Sequence, residues 1–348
     1  MLAMTESGRR DHAPPQSCLV ADIGGTNARF ALARVQPGTA PRKAELRHAR
    51  NLLVRDYASL GDAIQAFLAG LPAEAQPRDA VLAVASAVTE DAIRFTNSHW
   101  SFSINALQSA VGFERLLVAN DFAAAAWAVP ALDPDDLHPV GACVAVDSGA
   151  TGMRVVLGPG TGLGLAALKR DPDGGYAVIE TEGGHISFAP RDADEMYILD
   201  FLFQRFGRVS YERVLGGDGW LNLYQAWSTR LGLAVVHETP EAVSNAARNG
   251  DAAARAATRS MAAMLGAFAG DAVLVYGAWQ GVYLAGGLLQ HLLDGETAEV
   301  FRRSFEDKGR FRGLLSRTPV LRIVNPDLGN LGAAVLGASW LARGVSPR

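Results

Sequence analysis

The sequence contains very little lysine. Of the 32 basic residues among 348, only Lys43, Lys169 and Lys308 are lysine, and none of them is followed by serine or threonine. The chain therefore has no Gly-Lys-Ser/Thr element and no candidate for the strand lysine of protein kinases, which excludes P-loop NTPases and protein kinases. If the protein handles phosphate, backbone amides, a metal ion or arginine must hold it.

Cysteine is nearly as scarce. Cys18 and Cys143 are the two cysteines, too few for a disulfide framework or a four-cysteine zinc site. Each lies in a short apolar run, which predicts two buried thiols within a core.

Long apolar runs and a strong charge bias are also missing. No apolar run reaches the 18 residues of a membrane-spanning helix, and the net charge is −4 with a pI of about 6.0. We therefore expect neither a membrane nor a nucleic-acid partner. Arg9 and Arg10 precede an aspartate and prolines instead of the apolar region of an export signal, so a cytoplasmic location is predicted.

The length of 348 residues favours two domains. Residues 1–16 are small, polar and proline-containing, which predicts a disordered tail. Residues 130–139 are rich in proline and aspartate, which predicts a surface connection. Predicted strands occur in both halves and predicted helices concentrate in the second, so we expect a two-lobed α/β protein.

Two glycine turns are each flanked by apolar strand patterns. Residues 18–23 and 29–35 flank the first, and residues 153–158 and 163–170 flank the second. Strand, turn and strand describe a β-hairpin, whereas Rossmann and P-loop motifs need a helix after the glycines. Further strands are predicted over 45–54, 81–88, 115–119, 281–285 and 319–324, with one starting at 176, and helices over 57–68, 122–129, 194–206, 219–231, 240–249, 251–279, 288–293 and 332–342.

The first candidate site is the turn Asp22–Asn27. Its paired glycines allow a tight turn whose amides face an anion. Asp22 at a strand end could face a metal–phosphate complex, and Thr26 and Asn27 could donate to phosphate oxygens. An ordinary hairpin turn explains the same residues, since Asn and Gly dominate such turns.

The second candidate is the turn Gly158–Gly164, with a threonine among four glycines. A second glycine turn on a second lobe is what a clamp on a polyphosphate would need, although a plain hairpin again remains open. Gly286 and Gly287 follow a short predicted strand. Their bare backbone could pack against a flat ring such as adenine, or simply let a helix pack tightly on a sheet.

Polar residues at three further places could bind a sugar. Asn120 and Asp121 end a predicted strand, where a side chain either caps the next helix or contacts a ligand. Glu182 and His185 flank two glycines that leave room for a ligand, and together they can hydrogen-bond vicinal hydroxyls. No third metal ligand lies nearby in the sequence, so we expect no metal site there. Glu212 is either part of this set or an ion-pair partner of an arginine.

Eight motifs occur in the order and spacing of one protein family: ADIGGTNARF, TNSHW, ANDFAAAAWAVP, GPGTGLG, EGGH, ERVLGG, LAGG and FEDKGRF. From about residue 18 to residue 343 the chain resembles the bacterial glucokinases outside the ROK family. The resemblance implies the ribonuclease-H-like fold of actin/hexokinase ATPases, with a cleft between a small α/β lobe (17–131 and 326–348) and a larger α+β lobe (132–325). The longer N-terminal tail and the stretch 146–153 depart from the family pattern.

The resemblance also implies transfer of the γ-phosphoryl group of ATP, with Mg²⁺, to the 6-hydroxyl of glucose in glycolysis by a homodimer. Asp121 is the implied catalytic base. The implied sugar ligands are Asn120, Asp121, Glu182, His185 and Glu212. The implied nucleotide contacts are Ala21, Asp22, Ile23, Gly24, Gly25, Thr26, Asn27, Gly160, Thr161, Gly162, Gly286 and Gly287.

Other functions of the same fold remain open. An enzyme of this kind could phosphorylate another hexose, or use ADP or polyphosphate as donor. A sugar-responsive regulator would need a DNA-binding domain and a cysteine-rich zinc motif, but only about 17 residues precede the first predicted strand and the two cysteines are far apart. An actin-like filament protein would need the nucleotide turns but no sugar-binding acid such as Glu182.

Overall fold

The computed structural model describes residues 16–35, 44–95, 97–141 and 149–343. Cys143 and residues 1–15 of the expected tail lie outside these ranges. The described strands are, in chain order, β1 (Gln16–Ile23), β2 (Asn27–Val35), β3 (Leu46–Leu53), β4 (Asp79–Val84), β5 (Ala92–Arg94), β6 (Ser101–Ser103), β7 (Arg115–Asn120), β8 (Leu137–Pro139), β9 (Gly152–Pro159), β10 (Leu163–Arg170), β11 (Tyr176–Thr181), β12 (Val282–Leu284) and β13 (Val320–Ile323).

The described α-helices are α1 (Leu60–Ala69), α2 (Ile104–Val111), α3 (Asp121–Ala128), α4 (Ala193–Phe206), α5 (Glu212–Leu215), α6 (Gly217–Leu231), α7 (Pro240–Arg248), α8 (Ala252–Tyr276), α9 (Leu289–Leu292), α10 (Gly295–Glu306), α11 (Arg312–Leu315) and α12 (Leu328–Arg343). Across the described ranges, none of these helices has the length and apolar character needed to cross a membrane. The chain forms two compact units: unit 1 comprises the residues up to Ala131 and from Asp327 onwards, and unit 2 comprises Leu132–Pro326.

Unit 1 is built on a five-stranded sheet of order β3-β2-β1-β4-β7. The first three strands in chain order pair antiparallel, and β1, β4 and β7 pair parallel. All six residues of β4 are buried, as expected for a strand with both faces covered. Because side chains alternate along β1, Leu19 and Ile23 pack in one core with Phe67 of α1, while Cys18 and Val20 pack on the opposite face in a core with α12.

Helices α3 and α12 of unit 1 pack very closely. A Cβ atom on Gly332 would overlap the carbonyl oxygen of Ala124. The alanine-rich sequence of α3 therefore reflects a helix–helix contact, since the separation of two helices depends on the side chains between them. This contact joins the start of α12 to the helix that follows β7.

Unit 2 contains a six-stranded sheet of order β11-β10-β9-β12-β13-β8. Strands β9, β10 and β11 pair antiparallel, β9, β12 and β13 pair parallel, and β8 joins the edge antiparallel. The long helix α8 is buried along most of its length and contributes Met261, Leu265 and Phe268 to the core. The indole Nε1 of Trp220 donates to the hydroxyl of Thr258 at 3.2 Å, so the polar group of this buried ring is paired.

Both predicted hairpins are confirmed, with Ile23 opposite Ala28 and Pro159 opposite Leu163. Some predicted boundaries are wrong. Strand β1 already begins at Gln16, the last residue of the expected tail 1–16. The predicted strand 81–88 ends at 84, and the helix predicted from 57 begins only at 60, where Ser59 accepts a hydrogen bond from the amide of Asp62 as the N-cap.

The expected surface connection 130–139 is wrong in part, because 137–139 form β8 and pair with β13. Proline tolerates such an edge position, where its missing amide needs no partner. Helices α2 and α10 were missed although their signals are in the sequence. Ser103 caps α2 and Gly112 ends it in the left-handed conformation, and Asp294 and Thr297 form a capping box at the start of α10.

Candidate active site

The turn between β1 and β2 is held by backbone hydrogen bonds. The amide of Gly24 donates to the carbonyl of Asn27 at 2.9 Å, and the amide of Ala85 donates to the carbonyl of Ile23 at 3.1 Å. Neither Gly24 nor Gly25 has a positive φ. Crowding explains Gly25 instead, because a Cβ there would lie 2.5 Å from the carbonyl oxygen of Asn97.

Asp22 lies one residue before the end of β1, and its side chain is 24% exposed. Burial raises the pKa of its carboxyl group, and the positive charge of Arg29, whose Nη1 donates to Asp22 Oδ2 at 3.2 Å, opposes that rise. The first turn of α12 lies against this carboxyl group: a Cβ on Gly329 would be 2.6 Å from Asp22 Cγ. Gly329 was not predicted as a site residue, although the missing side chain of a glycine permits such a close approach.

The other residues of this turn differ in exposure. Ala21 and Ile23 are fully buried and their side chains belong to the core of unit 1. Thr26 is exposed, and Asn27 Oδ1 accepts from Asn51 Nδ2 at 2.9 Å. Ligand contacts of Ala21 and Ile23 would therefore have to use backbone atoms.

Asn120 provides the N-cap of α3. Its Oδ1 accepts from the amides of Phe122 and Ala123 at 2.9 and 3.2 Å, and its Nδ2 donates to the carbonyl of Ser86 at 3.3 Å. Since an amide group has two donor hydrogens, Nδ2 retains one for a ligand. The sequence left open whether Asn120 and Asp121 cap the next helix or bind a ligand. The structure shows that Asn120 is the N-cap.

Asp121 is the first residue of α3, and its carboxylate lies near the positive end of the helix dipole. Its Oδ1 accepts from the amide of Phe122 at 2.9 Å. Asn120 is the N-cap of the helix, and Asp121 adds a second side-chain acceptor within the first turn.

The turn between β9 and β10 is packed against two other segments of unit 2. The amide of Gly217 donates to the carbonyl of Gly160 at 3.0 Å. A Cβ on Gly158 would overlap the carbonyl oxygen of Ala285, and one on Gly162 would overlap the carboxylate of Glu212. Gly160, in contrast, faces open space and has no positive φ. Close approach rather than backbone conformation thus explains Gly158 and Gly162.

The two glycines after β12 differ from each other. Gly286 has φ +130°, and a Cβ there would overlap the carbonyl oxygen of Pro159. Gly287 has no neighbour within 4 Å of a Cβ position. Tight packing therefore explains Gly286, while Gly287 leaves its backbone accessible.

Glu182, His185 and Glu212 form a cluster in unit 2. His185 Nε2 lies 3.9 Å from Glu182 Oε2, and His185 Nδ1 lies 3.8 Å from Glu212 Oε1. The side chains of Glu182 and His185 are more than half exposed, and that of Glu212 is 32% exposed. An imidazole between two carboxylates presents both donors and acceptors to a polyhydroxy ligand.

Gly183 and Gly184 were expected to leave room for a ligand, but they pack against β10 instead. A Cβ on Gly183 would overlap Leu165 Cδ2, and one on Gly184 would overlap the carbonyl oxygen of Leu163. The space beside them is therefore filled by β10 and not by a ligand. Arg208, which was not predicted as a site residue, donates from Nη2 to the carbonyl oxygen of His185 at 2.6 Å.

A magnesium ion fits the donor set near the first turn. Among the described residues, no three His, Cys, Asp or Glu side chains cluster as a metal site. Mg²⁺ bound with a nucleotide commonly uses one or two carboxylates together with phosphate oxygens, so a single partly exposed carboxylate such as Asp22 suffices. A cavity of about 280 Å³ in unit 2 lies elsewhere, among α7, α8 and α10, and contains none of the expected site residues.

Comparison with known proteins identifies the family. The family model for glucokinase matches residues 19–339. The glucokinase of Chromohalobacter salexigens is 44% identical over 315 residues, which cover 90% of this chain and 95% of the relative.

Solved structures agree with that match. A glucokinase from an Antarctic psychrotroph is 33% identical, with a TM-score of 0.78 over 92% of this chain and 98% of its own. A ROK family glucokinase from Streptomyces griseus, 21% identical, shares the fold with a TM-score of 0.60 over 92% of this chain and 98% of its own. The expected α/β fold of the actin/hexokinase ATPase type is thereby confirmed, and the chain belongs to the glucokinase family of enzymes.

Proposed function

We propose that this enzyme transfers the γ-phosphoryl group of ATP to the 6-hydroxyl of glucose, forming glucose 6-phosphate and ADP. The observation that carries the proposal is the match to glucokinase relatives over more than nine-tenths of their length. The Streptomyces griseus enzyme was crystallised with glucose and AMPPNP, an ATP analogue, which supports the same pair of substrates for this chain.

Asp121 acts as the general base in this proposal. Its carboxylate accepts the proton of the 6-hydroxyl as that oxygen attacks phosphorus, a role that a positioned carboxylate can fill. The remaining Nδ2 hydrogen of Asn120 binds a sugar oxygen. Glu182, His185 and Glu212 hold other ring hydroxyls, so that a single hydroxyl reaches the phosphate in a fixed orientation.

The two glycine turns bind the polyphosphate. Backbone amides of Gly24–Asn27 and Gly160–Gly162 donate to phosphate oxygens, which replaces the missing P-loop lysine. Gly287 exposes backbone on the adenosine side. Asp22 would hold Mg²⁺, which neutralises phosphate charge when bound. Phosphoryl transfer needs positioning and charge neutralisation more than covalent help, so this set of residues suffices.

The proposal extends to the setting of the enzyme. We further propose a cytoplasmic enzyme that acts at the entry to glycolysis, because the proposed reaction forms glucose 6-phosphate from ATP. A homodimer is the assembly proposed from the family resemblance, and size-exclusion chromatography with light scattering would test it.

A substrate panel tests the proposed reaction. The wild-type protein is offered glucose, mannose, fructose and N-acetylglucosamine, each with ATP, ADP or polyphosphate, and sugar 6-phosphate is detected. We expect glucose with ATP to give the highest kcat/KM. A clear preference for another hexose or donor would replace the substrate while leaving the family unchanged, and no turnover with any pair would contradict an enzymatic role.

A further inference from the structure

The segment 208–217, which we call the bridge segment, joins the two parts of the candidate site in unit 2. On one side, the amide of Tyr211 donates to the carbonyl of Ile186 at 3.0 Å, next to His185. On the other side, the amide of Gly217 donates to the carbonyl of Gly160 at 3.0 Å. The expected sugar-binding loop (residues 182–185) is followed by a residue that is hydrogen-bonded to the bridge segment. The second phosphate turn (residues 160–162) is hydrogen-bonded to the same segment.

Glu212 lies in the middle of the bridge segment, and its two carboxylate oxygens face different partners. Oε2 accepts from the backbone amide of Leu163 at 3.1 Å, directly after the turn Gly160–Gly162. Oε1 lies 3.8 Å from His185 Nδ1. The alternative of an ion pair with a neighbouring arginine does not account for these contacts. One carboxylate thus touches both the phosphate turn and the sugar cluster.

The position of this carboxylate depends on the absence of a side chain at residue 162. A Cβ on Gly162 would overlap Glu212 Oε2. The same addition at Gly160 would meet no atom within 4 Å. A side chain at residue 162 would therefore contact Glu212, whereas a side chain at residue 160 would not.

We propose that Glu212 is a positioning residue for the second phosphate turn as well as a sugar ligand, and that it couples the binding of glucose to the binding of nucleotide. The inference rests on the proposed function, because that function assigns glucose and nucleotide to these two groups. A hydroxyl that donates to Oε1 fixes the carboxylate, and the fixed carboxylate orders the amide of Leu163 through Oε2. A charged acceptor makes this hydrogen bond stronger than a neutral one.

The first test measures glucose affinity with no nucleotide present, by calorimetry, for Gly162→Ala and the matched control Gly160→Ala. Because the new methyl group displaces Glu212, we expect Gly162→Ala to weaken glucose binding about tenfold, the effect of disturbing a hydrogen bond to a charged group. Gly160→Ala should stay within about twofold of the wild type, since its methyl group enters open space. A folded Gly162→Ala protein with wild-type glucose affinity would overturn the coupling.

The second test approaches from the nucleotide side and does not depend on Gly162→Ala folding. AMPPNP affinity is measured without glucose for Glu212→Ala and for the control Glu182→Ala. We expect about a tenfold loss for Glu212→Ala, because the amide of Leu163 loses its charged acceptor, and no loss for Glu182→Ala. Glu212→Gln should recover most of the AMPPNP affinity, since its amide oxygen can accept from Leu163, yet still bind glucose weakly. Equal AMPPNP affinities in all proteins would overturn the proposal.

Failure of the inference and failure of the proposed function give different results. If the wild-type protein does not phosphorylate glucose with ATP, the proposed function fails. If it does so while Glu212→Ala binds AMPPNP as the wild type does, only the coupling role of Glu212 fails. The coupling is described by a single factor, because glucose alters AMPPNP affinity by the same factor as AMPPNP alters glucose affinity.

Discussion

Units 1 and 2 each contain three antiparallel strands followed by two parallel ones. In unit 2, however, the first hairpin strand extends two residues beyond its last pair with the neighbouring parallel strand. In unit 1, Ile23 ends β1 and pairs with the last residue of β4. In unit 2, Leu157 pairs with the last residue of β12, and β9 continues through Gly158 and Pro159. These additional residues pack against the backbone of Ala285 and Gly286. The same strand order thus supports two differently packed turns: the unit 2 hairpin end meets the backbone of Ala285 and Gly286, whereas the unit 1 turn meets Asn97 at Gly25.

The chemistry at equivalent strand positions differs as well. One residue before the paired strand end, unit 1 has Asp22 opposite Ala83, whereas unit 2 has Val156 opposite Tyr283. Unit 1 therefore places carboxylates directly at the ends of its strands, at Asp22 and next to β7 at Asp121. Unit 2 brings its carboxylates from segments outside the parallel strands. In the proposed function, proton transfer and magnesium binding accordingly belong to unit 1.

The largest effect that this comparison predicts is for Asp121→Asn. Loss of the general base should lower kcat by roughly 10²–10⁴-fold. Glucose affinity should fall much less, because Asn can still hydrogen-bond the hydroxyl. Single-turnover phosphoryl transfer, measured beside glucose binding, tests this. The melting temperature should hardly change, because Asn120 remains the N-cap of α3 and the side-chain oxygen of the asparagine introduced at position 121 can still accept from the amide of Phe122. Retention of more than about a tenth of wild-type turnover would contradict the assignment of the base to unit 1.

The second effect concerns the packed turn of unit 2. Gly158→Ala forces a methyl group onto the backbone of Ala285 and should lower the free energy of unfolding by about 2–3 kcal/mol. Gly24→Ala in unit 1 is the matched variant: its Cβ would lie 3.6 Å from the carbonyl oxygen of Asn27, an ordinary contact, so the stability loss should stay below about 1 kcal/mol. Thermal unfolding of both variants measures the difference. Equal losses would mean that the two turns are packed alike.

Asp22→Asn should give an intermediate effect. Removing the negative charge weakens the proposed magnesium site, so the KM for MgATP should rise about tenfold while the KM for glucose changes little. Initial rates at varied ATP and Mg²⁺ concentrations measure it. If the KM for MgATP stays within about twofold of the wild type, the carboxylate of unit 1 has no part in nucleotide binding.

The smallest effect is expected for Tyr211→Phe in the core of unit 2. Burial, with a further contribution from the negative charge of Asp271, raises the pKa of Tyr211 to about 12. Between about pH 10 and 12 the unfolded state loses this proton and the folded state keeps it, so the wild type loses stability as the pH rises. Tyr211→Phe should remove up to about 1 kcal/mol of that loss. Urea unfolding at pH 8 and pH 11 compares the two proteins, and an unchanged alkaline loss would place its origin elsewhere.

Local patterns in the sequence predicted both hairpins, because two apolar runs separated by a glycine turn are typical of a hairpin. The short strand β8 was not predicted, because the prolines in residues 130–139 favour a loop. These residues form a strand only through their pairing with β13. The sequence showed which glycines lie in the turns, but it did not show that close approach of other segments requires most of them. Contacts such as Glu212 with Leu163, 49 residues apart, arise from tertiary packing that a single sequence does not reveal. The roles of the site residues came from motif resemblance and stay predictions.

The position of α12 has a consequence for synthesis of the chain on the ribosome. Unit 2 is contiguous, so all of its residues have been made once Pro326 is added. Unit 1 is different, because Cys18, Val20 and Val81 lie in a core that α12 completes with Ala333 and Leu341. This face of the unit 1 sheet stays uncovered while the whole of unit 2 is translated. The unit that begins first is thus finished last, and its apolar face is exposed to aggregation until α12 has been made.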